Sequence, residues 1–121
     1  MKTLSIIIVN YNSGEELIVC IKSIIRYLTN VSYEIIVVDN NSTDNSRELL
    51  KEFSAEIKTI ILETNTGFSS ANNYGVDKST GEYLLLLNPD TILIDSTLKE
   101  MIKFLNLYPD CLLYTSDAAD E

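Results

Sequence analysis

Asp90 stands in the tripeptide Asn88-Pro89-Asp90, directly after four consecutive leucines, Leu84 to Leu87. A carboxylate placed there can hold a hard divalent cation, Mg2+ or Mn2+, which takes oxygen ligands. Such a cation shares its shell with phosphate oxygens and waters, so one or two protein carboxylates suffice. Pro89 fixes the backbone as the chain leaves the apolar run. Taken alone, Asp90 also fits a surface turn. Three further polar clusters follow apolar runs in the same way: Asn10-Tyr11-Asn12, Asp39-Asn40-Asn41 and Asn65-Thr66-Gly67. For any one of them, residues that end a strand and cap a helix are a sufficient explanation. Four together point to a shared site.

Other chemistries are excluded by what is missing. There is no histidine, so His-dependent triads, His general bases and His-ligated zinc are out. No GxGxxG follows the first apolar run and no GxxxxGK[ST] occurs, which argues against a dinucleotide-binding Rossmann unit and a P-loop. A diphosphate would then need a cation held on a carboxylate. Cys20 and Cys111 form no CxxC pair; Cys20 lies among apolar residues and reads as a reduced core thiol, which suits a cytoplasmic protein.

The elements that position these clusters alternate. Leu4 to Val9 reads as a buried strand, and the apolar spacing of Leu17, Cys20, Ile21, Ile24, Ile25 and Leu28 predicts a helix. Ser13 with Glu16 has the form of a capping box at its start. Tyr33 to Asp39 is a second strand, followed by a helix to about Phe53. Ile57 to Leu62 is a third, followed by a short helix from Gly67 to near Val76. Tyr83 to Leu87 is a fourth, and Ser96 to Leu107 a last helix. Apolar strands separated by amphipathic helices predict an α/β fold with a parallel sheet covered on both faces. Its ligands would gather at the carboxyl ends of the strands, where all four polar clusters fall. Phe68 and Tyr74 are expected to pack rather than serve as ligand-stacking platforms, and Asp44 to serve as a helix-start acid.

The 121 residues suffice for one core, and the 45% hydrophobic and 22% charged shares are those of a globular domain. Net charge is −9, with no basic stripe for a nucleic acid. The four aliphatics Ile6 to Val9 are far too few to span a membrane. Residues 1–110 are expected to form one folded part. The tail 111–121 begins like a fifth strand and then loses periodicity. It resembles translated adapter sequence, so it is expected to be artefactual.

Four blocks carry a family resemblance: Ser5 to Asn12, Val37 to Ser46, Asn65 to Gly75, and Leu87 to Asp90. In this order and spacing they make the stretch from Leu4 to about Tyr108 resemble the first half of family 2 glycosyltransferases, which have the Rossmann-like GT-A fold. The resemblance implies that Val9, Tyr11 and Asn12 line a nucleotide pocket and that Asp39 hydrogen-bonds the base edge, mattering little for folding. It implies that Asn65 and Gly67 lie beside the sugar nucleotide, and that Asn88-Pro89-Asp90 occupies the place of the family's DxD. Asn88 would bond a ribose or sugar hydroxyl, leaving Asp90 as the metal ligand. The Asn-Pro-Asp form looks most like a rhamnosyltransferase-like branch.

The expected donor is a nucleotide-diphosphate sugar, dTDP-rhamnose or a UDP-sugar. The expected acceptor is a glycan or lipid-linked hydroxyl in cell-surface polysaccharide synthesis. The full-length protein would work in the cytoplasm at the inner membrane face. The family's general base lies downstream of the matched blocks, so no catalytic residue is assigned. The alternative is a non-catalytic module that binds a nucleotide sugar. A receiver-type signalling domain would carry paired acids where Asn10 and Asn12 stand. The purified 121-residue polypeptide is expected to bind weakly, if at all, and to transfer no sugar; turnover above a heat-killed control would contradict this.

Overall fold

A computed structural model describes residues 2–108. Strands β1 (Leu4–Asn10), β2 (Tyr33–Asp39), β3 (Ile57–Ile61) and β4 (Tyr83–Leu87) alternate with helices α1 (Gly14–Tyr27), α2 (Ser46–Lys51), α3 (Phe68–Asp77) and α4 (Thr97–Leu107). All pairings are parallel and the sheet order is β3-β2-β1-β4. The α/β fold and every described element match the expectation to within a few residues. The expected fifth strand and the boundary at residue 110 lie outside the described residues, as does Cys111.

Strand order decides where a ligand can sit. The chain moves outward from β1 to β2 to β3, then returns to place β4 on the other side of β1. In open α/β sheets the connections on the two sides of such a reversal diverge, and ligands bind at the carboxyl ends of the two strands that flank it, here β1 and β4. The register sharpens it. β4 ends with Leu87 opposite Ile8, whereas β1 runs on to pair Asn10 with Asp39 of β2.

Side chains of β1 and β2 alternate between two apolar layers. Ile6, Ile8, Ile35 and Val37 pack with Leu17, Cys20, Ile21 and Ile24 of α1, Leu50 of α2 and Ile102 of α4. Ile7, Val9, Ile36 and Val38 pack on the opposite face with Leu62 and Ala71. Each fully buried aliphatic contributes roughly 1.5–3 kcal/mol, so these two strands hold most of the fold. Gly75 allows α3 to approach closely: an added Cβ would meet Ile7 Cγ2 at 2.5 Å.

Helices lie on both faces of the sheet, as expected, although among the described residues Leu84 and Leu86 are about half exposed, since α3 lies mainly against β1 and β2. One expectation is corrected here. The capping box at α1 does not form. Ser13 makes no side-chain cap, and its hydroxyl donates to the Tyr11 carbonyl instead. Asp44, thirty residues on, accepts from Gly14 N–H and caps that helix across the gap.

At the sheet's amino end, buried Glu34 ties three segments together. It accepts from Ser5 Oγ (2.6 Å), Thr80 N–H (2.6 Å) and Lys58 Nζ (2.8 Å). Burial pushes its carboxyl up, but Lys58, Ser5 and Thr80 outweigh that and hold it at about 2, below its ordinary 4.5. A depressed folded pKa adds stability above pH 4.5 that is lost as pH falls toward about 2. Glu34→Gln should therefore cost about 1–3 kcal/mol at pH 7. The gap from wild type in chemical denaturation should narrow between pH 4.5 and 2.5. A gap that stays constant across this range would contradict the assignment.

Candidate functional site

The loops after β1 and β2 are laced together by side chains. Asn10, fully buried, donates from Nδ2 to Asp39 Oδ1 (3.0 Å) and to Ser42 Oγ (3.2 Å), while its Oδ1 accepts from Ser13 N–H. Asp39, also fully buried, accepts at Oδ2 from Ser42 N–H (3.0 Å) and from Arg47 Nε (3.1 Å). Burial raises the Asp39 carboxyl, but the bonds from Ser42, Asn10 and Arg47 outweigh it and keep the group below its ordinary value, so it is an anion. Such a group holds strand ends and loops in register. This corrects the expectation that Asp39 matters little for folding.

Asn12 and Asn41 both adopt positive φ, 55° and 65°, a conformation that asparagine tolerates better than most residues. That bend lets Asn12 Oδ1 accept from Thr43 N–H (2.7 Å) and Asp44 N–H (3.1 Å). Asp44 in turn accepts from Ser46 N–H at the start of α2 and from its hydroxyl, as well as from Gly14. The expectation that Asp44 is a helix-start acid holds, and it serves two helices.

A second hub carries the β3–α3 loop. Buried Asn40 donates from Nδ2 to Asn65 Oδ1 (3.0 Å) and accepts at Oδ1 from Thr66 N–H (2.9 Å). Asn65 Oδ1 also accepts from Gly67 N–H. Gly67 has φ +87° with nothing within 4 Å of an added Cβ, so the backbone angle rather than crowding requires glycine. The start of α3 has no side-chain cap.

The residues singled out in the sequence thus occupy one rim in different ways. Tyr11, about half exposed, and exposed Asn12 follow β1. Val9 is 7% exposed, its side chain packed in the layer beneath α3. Exposed Asn65 and Gly67 lie on the loop anchored by Asn40. Half-buried Asn88 and exposed Asp90 follow β4. Asn88 O is 4.0 Å from Cys20 Sγ, whose thiol is pushed up to about 12 by burial and then by the charge of Asp90. Cys20 is therefore an unreactive core thiol.

Phe68 and Tyr74 are 54% and 47% exposed, so neither packs in the core as expected. Six residues apart, they lie about a third of a turn from each other on α3, and among the described residues nothing covers either fully. Asn10 and Asn40 belong to the polar clusters named above but were given no role of their own, and Ser42 and Arg47 were not assigned to the site. The signal for Asn40, Ser42 and Arg47 was the unbroken polar run Asp39 to Glu48, longer than one helix start needs.

Donor chemistry decides whether these residues suit a divalent cation. Among the described residues, no three His, Cys, Asp or Glu side chains are grouped to hold an ion. Asp39 and Asp44 spend their carboxylates inside the loops. The rim offers Asp90 beside a neutral amide, a set that fits a hard cation when phosphate oxygens and waters complete its shell. No described helix is long and apolar enough to cross a membrane.

Comparison with known proteins places this arrangement. The chain is 30% identical over 101 residues to the glycosyltransferase GlyG of Streptococcus pneumoniae serotype 4, covering 81% of this chain and 33% of the relative. It is 30% identical over 108 residues to the poly(ribitol-phosphate) beta-N-acetylglucosaminyltransferase TarP of Staphylococcus aureus, covering 86% and 33%. It thus spans about a third of the length of these curated relatives. The structure of TarS from S. aureus, solved with UDP-GlcNAc, superposes with a TM-score of 0.78 at 25% identity, covering 88% of this chain and 32% of that one. A mannosyltransferase from Pyrobaculum calidifontis, solved with GDP-Man and Mn2+, shares the fold at a TM-score of 0.77 and 20% identity, covering 86% and 32%. The family model for glycosyl transferase family 2 matches residues 5–120, and the chain belongs to that family.

Proposed function

We propose that the crevice between the carboxyl ends of β1 and β4 binds a nucleotide-diphosphate sugar, for transfer of the sugar to an acceptor hydroxyl. The observation that carries this is the reversal of strand order between β1 and β4, with Tyr11 and Asn12 on one side and Asn88 and Asp90 on the other. The relatives named above, one solved with UDP-GlcNAc, support a sugar nucleotide as the ligand class.

In this reading the base lies toward Asp39, whose acceptor-only carboxylate suits an N–H on the base edge. The Asn65–Gly67 loop flanks the ligand, and the uncapped start of α3 adds partial positive charge near the phosphates. Asp90 would hold Mg2+ or Mn2+, which when bound offsets the charge of the diphosphate leaving group. Asn88 hydrogen-bonds a ribose or sugar hydroxyl. The donor is a UDP-sugar or dTDP-rhamnose, the latter suggested by the Asn-Pro-Asp form. The acceptor is a glycan or lipid-linked hydroxyl in cell-surface polysaccharide synthesis.

No general base is assigned, since Asp39 and Asp44 are both engaged within the loops. This favours, as a second reading, a part that binds donor and takes the base from elsewhere in a longer protein. The role of Asp90 rests on ligand type: hard cations prefer charged oxygen to a neutral amide. Asp90→Asn should abolish the Mn2+-dependent part of donor binding, and Asn88→Asp should preserve or strengthen it. Calorimetric titration with Mn2+ and with chelator measures both. Equal binding by all three proteins, unaffected by chelator, would mean that the diphosphate is neutralised without Asp90.

A further inference from the structure

The carboxylate assigned to the base is not open to it as the chain stands. Asp39 is fully buried, and each of its oxygens already accepts a hydrogen bond within the chain. Its partners differ in how easily they can leave. Ser42 N–H is backbone, and Asn10 is fully buried and bonded at both ends of its amide. Arg47 is different. Its side chain is 39% exposed and reaches back from the first turn of α2, giving Nε to Asp39 Oδ2 at 3.1 Å. Its Nη2 donates to Asn41 Oδ1 at 3.3 Å, a long contact to a residue held at positive φ.

We infer that Arg47 is a displaceable cover on Asp39, occupying the position a base N–H must take and thereby setting the affinity for the base. This rests on the reading of Asp39 as the base acceptor. The exchange is feasible because the base N–H takes over the hydrogen bond that Arg47 gives up, so the buried carboxylate is not left short of a donor. The guanidinium end, with its side chain 39% exposed, is rehydrated on release, and the long arginine side chain regains freedom. The buried bonds from Asn10 and Ser42 stay in place and keep Asp39 ionised and aimed while Arg47 moves away. Binding of the base is then a substitution at one oxygen of a preset carboxylate, and Arg47 is a positioning and selectivity residue rather than a catalytic one.

The test uses neutral probes, so that attraction between Arg47 and phosphate plays no part. Uridine carries the imino N–H that a carboxylate can accept; N3-methyluridine lacks it. Both are titrated by ligand-observed NMR into wild type, Arg47→Met and Asp39→Asn. Arg47→Met should bind uridine about two- to fivefold more tightly than wild type, because no cover has to be displaced before the base N–H reaches Asp39. Affinity for N3-methyluridine should not change. Arg47→Lys keeps the charge but loses the planar fork, and should also bind uridine more tightly; it serves if Arg47→Met does not fold. If uridine is preferred over its methylated form, and that preference is lost in Asp39→Asn, but neither Arg47 variant binds more tightly, the cover is refuted and the reading of Asp39 stands. If uridine and N3-methyluridine bind wild type and the Arg47 variants alike, or neither probe binds, the reading of Asp39 fails and the inference with it.

Discussion

The rim depends on one buried contact, the hydrogen bond from Asn10 Nδ2 to Asp39 Oδ1 at the carboxyl ends of neighbouring strands. These two residues are register partners, the last pair in the β1–β2 ladder. A buried carboxylate without partners would cost far more than the bond returns, so the surrounding loops must close over it with donors. Ser42 and Arg47 do so from the far side, and Ser42 Oγ then draws in Asn12 N–H. Asn12 in turn fixes Thr43 and Asp44, and Asp44 caps both α1 and α2. No buried side-chain polar atom among the described residues lacks a partner. A polar network so fully satisfied makes a rigid platform out of segments that would otherwise be loose.

What this rigidity positions is the other half of the rim. Asn40, next to Asp39, anchors the Asn65–Gly67 loop through its amide, so the β2 end controls the approach to α3. The β4 side is built differently. Leu87 ends opposite Ile8, Pro89 follows, and Asp90 stays exposed while Asp39 and Asp44 are tied up. In the proposed reading, a rim with engaged acids on one side and an exposed carboxylate on the other would separate recognition from charge neutralisation.

Much of this was legible in the residues. The strands could be read because Ile6 to Val9 and Ile35 to Val38 are apolar on both faces, and the fold buries both. The four polar clusters were legible as a rim because each follows such a run. The internal partners were not, since hydrogen bonds between Asn12 and Thr43, or Asp44 and Gly14, join residues about thirty positions apart. Local pattern suggested a Ser13–Glu16 capping box, but a tertiary partner took that role. The same limit explains Asp39, read as a ligand contact when its neighbours also make it a structural anion. It explains Phe68 and Tyr74 as well: each was expected to pack, and nothing in α3 itself reveals that the described residues leave both about half exposed. Leu84 and Leu86 on β4 repeat the point for a strand.

The central claim is the location of the sugar nucleotide at the β1–β4 reversal. Backbone amide NMR of the 15N-labelled chain, titrated with a UDP-sugar in the presence of Mg2+, tests it most directly. The account predicts the largest shifts at Tyr11, Asn12, Asp39, Asn65, Gly67, Asn88 and Asp90, on four loops far apart in sequence. A groove at the start of α4 is lined by Asp95, Ser96, Thr97, Glu100, Met101 and Phe104. Shifts confined to that groove, or a spectrum unchanged at saturating ligand, would contradict it.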